Sequence, residues 1–392
     1  MNAVPFHPTD LASCCPRTLS VAAKWNRSRR KLLGWEEGII NGMDASCVAR
    51  GHIVPVDLFG GPWILDESPV VAGHLMQHIT WQWFKLGLLA LGVLLTLWLL
   101  ASLAVAYRLT RRSQPRFPEP VPAADWGKFE PHRLKTIDGQ EIGAWLVVGS
   151  GDAPSVLLIH GIGASRSACL SRAKMLAAQG CPVLMISLRA HGDSTGDFND
   201  MGYSARHDIV AAVEFLERRR PGNPIIVHGL SMGGAAAVFA SGELAHRIKG
   251  YILESPYRDL KVAVRNRTEN ALPPLLDRIA YLGLLVVSPL VLPDLEKTSP
   301  VEAISGIPPD VPVIILAGEE DSVARPDEAQ AILDRVRSHG RLVLFEHAGH
   351  MNFPETYPDL YQRSVLEFLR EIRRSPTAEP LPWRCLPPSP AC

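Results

Sequence analysis

Residues 227–237 read VHGLSMGGAAA, and the fold turns on whether Ser231 within them is a nucleophile or a small residue in a glycine-rich turn. Gly229, Ser231 and Gly233 are spaced as G-x-S-x-G. Alone this spacing is a weak signal, because glycine and serine are common in turns. Its weight comes from what flanks it. PIIVHG (224–229) has the short, unbroken apolar character of a buried strand, and MGGAAAVFASGEL (232–244) follows as a helix. A sharp strand-to-helix turn lifts a serine into a strained, reachable position, with glycines where side chains would meet neighbouring backbone. The N-terminus of the following helix favours developing negative charge. This context predicts that Ser231 is a nucleophile.

Working outward, strand and helix signals alternate. Short apolar runs at 155–160, 181–187, 224–229, 250–255, 311–318 and 341–347 read as strands. Amphipathic stretches at 165–179, 205–219, 232–244, 327–338 and 358–373 read as helices. In the second of these, Ile209, Val210, Val213, Phe215 and Leu216 recur about once per helical turn. HRLKTIDGQEIGAWLVV (132–148) places Asp138-Gly139 between two extended runs and reads as a β-hairpin. The pattern predicts an α/β fold with a mostly parallel sheet covered by helices on both faces.

A serine hydroxyl needs a base to become nucleophilic. After Ser231, histidine occurs at His246, His339, His347 and His350. His246 lies just past the helix that follows Ser231, and His339 lies in a turn before a strand. EHAGHMNF (346–353) follows the last strand, where a loop reaches the sheet edge. His350 is the expected base, because Gly349 lets the loop turn inward whereas His347 continues the strand. The acid is expected after the preceding strand, where IILAGEEDSVARP supplies Glu319, Glu320 and Asp321, with Asp327 just beyond. An oxyanion hole is expected from the backbone N–H groups of Ile162, in the glycine-rich LLIHGIGAS turn, and of Met232, after the serine.

HGIGAS (160–165), LRAHGDSTG (188–196), HGLSMGG (228–234), GEEDSVARP (318–326) and AGHMNF (348–353) together resemble the α/β-hydrolase superfamily. The likeness is to its serine-hydrolase branch of membrane-anchored esterases, lipases and prolyl-peptidase-like proteins, over about residues 128–374. It implies a Ser231–Asp321–His350 triad, and it selects Asp321 among the carboxylates. Ser187 departs from relatives that carry Asp there, at a position usually structural. Arg189 to Gly192 is expected to shape a loop, with no catalytic role for His191. The resemblance implies a cap over 256–310, containing IAYLGLLVVSPLVL (279–292). That run is shorter than the roughly 20 residues of a membrane span. It is expected to line an acyl pocket, touch a membrane surface or pack on the core. The implied activity is hydrolysis of a carboxylic ester or thioester, on a small, lipophilic acyl substrate, without metal or organic cofactor. The same triad also serves amide cleavage or acyl transfer, and a non-catalytic scaffold is the reading of a different class.

One segment stands apart. LGLLALGVLLTLWLLASLAVAY (86–107) carries no charge and as a helix is roughly 33 Å long, enough for a hydrocarbon core of about 30 Å. Trp81, Trp83, Phe84 and Tyr107 bracket it as an aromatic belt. Ala104-Val105-Ala106 matches a signal-cleavage pattern, but the run exceeds a signal peptide's apolar region of about 7–15 residues. A single-pass membrane anchor is expected. Lys85 before it against Arg108, Arg111, Arg112 and Arg116 after it places the hydrolase domain in the cytoplasm. Residues 108–127 read as a Pro-rich, semi-extended linker and 375–392 as a disordered Pro-rich tail. Residues 1–75 show no sustained period, and Met76 is a candidate start. Lys+Arg and Asp+Glu are both 40, so the balance of charge points to no nucleic-acid partner. The seven cysteines form no C-x-x-C pair and no zinc-spaced cluster.

Overall fold

The computed structural model describes residues 69–150, 153–350 and 352–374. The N-terminal stretch to residue 68 and the 375–392 tail lie outside the described residues. The body is one eight-stranded sheet in the order β1-β2-β4-β3-β5-β6-β7-β8. Its strands are β1 (Phe129–Lys135), β2 (Glu141–Val147), β3 (Ser155–Ile159), β4 (Val183–Ile186), β5 (Ile225–Leu230), β6 (Ile248–Glu254), β7 (Val313–Gly318) and β8 (Gly340–Phe345). The first two form the expected antiparallel hairpin, β2 meets β4 antiparallel, and every other pairing is parallel.

Among the described residues, eight long helices accompany the sheet, five of them packed over its two faces. These are α2 (Leu170–Ala177), α3 (Arg206–Arg219), α4 (Met232–Phe239), α5 (Leu260–Ala271), α6 (Leu276–Val291), α7 (Pro326–Arg335) and α8 (Pro358–Arg374), after the N-terminal α1 (Pro69–Leu109). The helix expected over 232–244 is interrupted: α4 ends at Phe239 and a separate turn, Ser241–Leu244, follows. Strand alternation sorts the core into two layers. Leu157, Ile159, Val227, Leu253 and Ile315 face one way, under Ile209, Ala236 and Ile332 from α3, α4 and α7. Val156, Leu158, Ile226, Ile252 and Ile314 face the other way, under Leu176 from α2 and Val365 and Phe368 from α8. Burial on both faces is why these strands read as continuous apolar runs.

The second layer holds a charged cluster under the turn at Ser231. His228 and Glu254 continue the alternation of Ile226 and Ile252, so both point beneath α2 and α8. Arg172 of α2 reaches Glu254 with Nε at 2.9 Å and Nη2 at 2.6 Å. The Tyr361 hydroxyl of α8 donates to the same carboxylate at 2.5 Å. His228 Nε2 lies 2.6 Å from Glu254 Oε1 and acts as donor, since a carboxylate only accepts. Burial alone raises the Glu254 carboxyl, but the Arg172 charge and the His228 hydrogen bond hold it well below the usual carboxylate range.

Of the segment 108–127, Arg108 and Leu109 belong to α1 and the residues after them are tied to the body. Arg112 Nη2 donates to the carbonyls of Ser194 and Gly196 at 2.5 and 2.8 Å. Glu119 is buried against Arg166 and Ser187, at 2.9 and 2.5 Å. Breaking a buried pair strands a charge, at a cost of about 3–5 kcal/mol, whereas removing both charges costs less. Arg172→Met is therefore expected to lower stability by about that amount, and Arg172→Met with Glu254→Gln to recover part of it. Thermal and denaturant unfolding of the detergent-solubilised protein reads both.

Candidate active site

The site lies at the carboxyl ends of β3, β5, β7 and β8. The chain steps from β3 to β4 on one side and returns to place β5 on the other. The crevice outside β3 and β5 is thus the topological switch point, where open α/β sheets receive ligands. Ser231 follows β5 directly. Its backbone is in the left-handed half of conformational space, with φ 49° and ψ −113°. A non-glycine residue rarely adopts this, and such strain costs on the order of 1–3 kcal/mol. Its N–H donates to the Glu254 carbonyl at 2.7 Å.

The two flanking glycines are explained by close approach. A Cβ on Gly233 would lie 2.5 Å from the His160 carbonyl oxygen and 2.7 Å from that of Ile159. A Cβ on Gly229 would lie 2.5 Å from Gly234 Cα. The turn therefore needs hydrogen at both positions, which is the physical content of the G-x-S-x-G spacing. The helix that starts at Met232 points its first N–H groups, which have no intrahelical acceptor, toward the turn. Ile162 sits in the Gly161–Gly163 turn after β3 and is 40% exposed.

Ser231, His350 and Asp321 come together in a hydrogen-bonded row. His350 Nε2 lies 3.1 Å from Ser231 Oγ, and His350 Nδ1 lies 2.7 Å from Asp321 Oδ2. Asp321 is buried, and its other oxygen accepts the backbone N–H groups of Val323 and Ala324 at 2.8 and 2.9 Å. Those two bonds fix the carboxylate and leave Oδ2 for the imidazole. His350 Nδ1 is then the protonated nitrogen, because its partner only accepts, and Nε2 faces the serine free to accept.

The competing residues lie elsewhere. His347 Nδ1 pairs with Glu320 at 3.0 Å on the surface. Glu319 is exposed. Asp327 lies in the first turn of α7. His246 lies 3.5 Å from Asp310, and His339 Nδ1 meets Ser338. The reason given for preferring His350 needs correcting. The last strand ends at Phe345, so His347 does not continue it. The left-handed residue of the loop is His347, with φ 56°, and Gly349 does not have positive φ. The turn that swings His350 over the serine is therefore made two residues earlier than expected.

Arg189 of the R-A-H-G stretch binds Asp138 and Asp208, each at 2.6–2.7 Å. It acts as a loop clamp, and the His191 ring donates from Nδ1 to the Arg189 carbonyl at 2.8 Å. Sequence reasoning passed over His160 and Glu254. His160 is fully buried; its Nε2 accepts from Leu188 N–H at 3.0 Å and its Nδ1 donates to the Gly161 carbonyl at 2.7 Å. Glu254 was visible only as a carboxylate ending an apolar strand. Among the described residues no group of three or more His, Cys, Asp or Glu is placed to hold a metal ion.

With this geometry established, the sequence profile of the Alpha/beta hydrolase family matches residues 156–362, more than half of the chain. The chain belongs to that family. This α/β hydrolase is 25% identical over 308 residues to human monoglyceride lipase, across 68% of this chain and 98% of that one. It is 24% identical over 215 residues to protein bem46 of Schizosaccharomyces pombe, across 53% of this chain and 66% of that one. A solved structure of an esterase from Pyrococcus furiosus superposes with a TM-score of 0.53 at 23% identity, covering 66% of this chain and 98% of that one. The match begins at β3 and takes in the switch point, the elbow and both loops that carry Asp321 and His350.

His160 sets a pH dependence. Burial, and then the neighbouring His191, push its imidazole from 6.5 down to about 3. The folded value lies below the unfolded one, so the contribution to stability is complete above about pH 6.5 and is lost as pH falls toward about 3. The unfolding midpoint of the α/β hydrolase is expected to drop steadily on acidification from pH 7 to pH 4. The His160 imidazole should keep neutral-tautomer nitrogen shifts over that range. A protonated His160 at pH 5 in folded protein would contradict this.

Proposed function

We propose that this α/β hydrolase is a membrane-anchored serine hydrolase that cleaves a carboxylic ester or thioester through an acyl-enzyme. The observation that carries the reading is the row Ser231 Oγ–His350–Asp321, with contacts of 3.1 and 2.7 Å, set on a strained elbow. Ser231 Oγ attacks the carbonyl carbon while His350 Nε2 takes its proton. The resulting imidazolium is stabilised by the Asp321 side chain on its Nδ1 side. The backbone N–H groups of Ile162 and Met232 receive the oxyanion; losing one such donor costs about 2.7–4 kcal/mol. His350 returns the proton to the departing alcohol or thiol. Water then enters, His350 deprotonates it, and the acid product leaves with Ser231 restored.

The choice of an ester follows human monoglyceride lipase, whose match spans 98% of that enzyme. Membrane anchoring rests on α1. Its stretch Met76–Leu109 is long and apolar enough to cross a bilayer, with only 6% of the most apolar window buried. The arginines at 108, 111, 112 and 116 support a cytoplasmic hydrolase domain by the positive-inside rule.

A fluorophosphonate probe on the detergent-solubilised full chain tests the nucleophile. Wild type is expected to be labelled and Ser231→Ala to remain unlabelled. Labelling that survives in Ser231→Ala, or a folded wild type that takes no probe, would sink the reading. On a short-chain ester, Asp321→Asn is expected to lower kcat by about 10⁴-fold, the scale of losing the orienting carboxylate of such a triad.

A further inference from the structure

Helix α6 carries an apolar face that the body of the domain leaves open. Leu275 at its N-cap and Ile279, Leu282, Val286 and Leu290 along it are 43–74% exposed. They recur at three- and four-residue spacing, so they form one stripe. The buried residues Asp277, Gly283 and Val287 lie outside it. Single exposed leucines are ordinary, but a continuous apolar stripe along a 16-residue helix marks a surface made for an apolar partner.

That partner is indicated by what lies beside the stripe. Trp98 Nε1 of α1 donates to the Ile279 carbonyl at 3.2 Å. One turn further along both helices, a Cβ on Gly283 would lie 2.1 Å from Ser102 Oγ, so the backbones approach through small residues. Trp98 beside Ile279 and Ser102 beside Gly283 mean that the two helices run in the same direction. Nearer their C-termini they enclose a small apolar cavity of ≈ 60 Å³ lined by Ala106 and Leu109 of α1 and by Leu285 and Val291 of α6.

The apolar part of α1, Met76–Leu109, has 34 residues, whereas a hydrocarbon core of about 30 Å takes about 20. The portion of α1 that meets α6 is its C-terminal end, just before Arg108, Arg111 and Arg112, where a span reaches the headgroups. Away from its contact with α6, α1 is itself exposed: Leu94, Leu97 and Leu100 are 57–64% accessible. The stripe of α6 therefore lies beside a helix whose other sides are apolar and open. The carboxylate nearest the stripe is neutralised within the protein, since Asp277 is buried and paired with Arg265 at 2.9 Å.

We infer that α6, docked along the last turns of α1 and parallel to them, is set into the same membrane with its Leu275–Leu290 stripe in lipid. It gives the hydrolase domain a second membrane contact beside its anchor. The inference rests on the reading of α1 as a membrane span, and goes beyond it by placing part of the cap in the same membrane. Its consequence is a fixed orientation: a domain held at two points cannot swivel about its anchor.

The test uses the full chain in vesicles of phosphatidylcholine with a minority of phosphatidylglycerol. A benzophenone amino acid replaces Val286 or Leu290, which are 53% and 74% exposed. Leu94 of α1, 64% exposed, is the membrane reference, and Ile137 at the β1–β2 turn, 86% exposed, is the aqueous one. After irradiation, mass spectrometry of the peptides is expected to show phospholipid adducts at 94, 286 and 290 and none at 137. Two stripe positions guard against one substitution disturbing the fold. If 286 and 290 behave like 137, or capture peptide from a second copy or from residues 1–68, the inference is overturned while the anchor stands. If Leu94 also captures no lipid, the anchor reading falls and takes the inference with it.

Discussion

The backbone of Ser231 is the constraint on which the rest of the site depends. Its φ of 49° and ψ of −113° are not conformations a serine keeps by preference. They persist because three neighbours allow nothing else. Gly233 packs against the carbonyl of His160, Gly229 packs against Gly234, and the Ser231 N–H is held by the Glu254 carbonyl. Strain at an active site has to be supported by rigid surroundings. Here the support comes from β3, β5 and β6 and from the first turn of α4. The Glu254 side chain is gripped by Arg172, His228 and Tyr361, so the residue whose carbonyl holds the Ser231 N–H is itself tied down at its other end. The buried ionic cluster on one layer and the strained turn at the sheet end form one mechanical unit.

Above that unit, charge is arranged by a different rule. The carboxylate of Asp321 is buried but satisfied, with two backbone N–H groups on one oxygen and His350 on the other. Local N–H donors hold it in place with one oxygen turned to His350 Nδ1. His160 is treated differently. It is kept neutral by burial and by the neighbouring His191, and each ring nitrogen has one hydrogen-bond partner. One histidine thus faces Ser231, and the other bridges β3 and the 188–192 loop.

Around the site, the chain ahead of the sheet is more firmly attached than its composition suggests. The Pro-rich stretch after α1 reads as a tether, yet Arg112 is spent on turn carbonyls and Glu119 completes a buried cluster with Arg166 and Asp193. An extended segment without internal hydrogen bonds must find partners elsewhere or stay solvated, and here it finds them in the 192–197 turn. The end of α1 and helix α6 meet in the same way, through a tryptophan N–H on a carbonyl and a glycine against a serine. Such contacts join segments about 180 residues apart in the chain and leave no periodic trace in either.

The sequence by itself determined the alternation of strands and helices, the elbow around Ser231 and the serine–acid–histidine order. These are local matters: apolar runs, helical periodicity and glycine at crowded turns act over a few residues. It also narrowed the expected base to a loop with two histidines, and the expected acid to a loop with three adjacent carboxylates. Which of them stand in a row with Ser231 is a matter of tertiary structure alone. His347 and His350 differ by three positions and Glu320 and Asp321 by one, but a hydrogen bond tolerates an error of only a few tenths of an ångström. Which side chain meets that tolerance depends on the register of β7 against β8 and on a left-handed turn at His347, and neither can be read from residue types. The same holds for Glu254 and His160. Their partners come from α2, α8 and the 188–192 loop, so their roles exist only once the sheet has brought distant segments together.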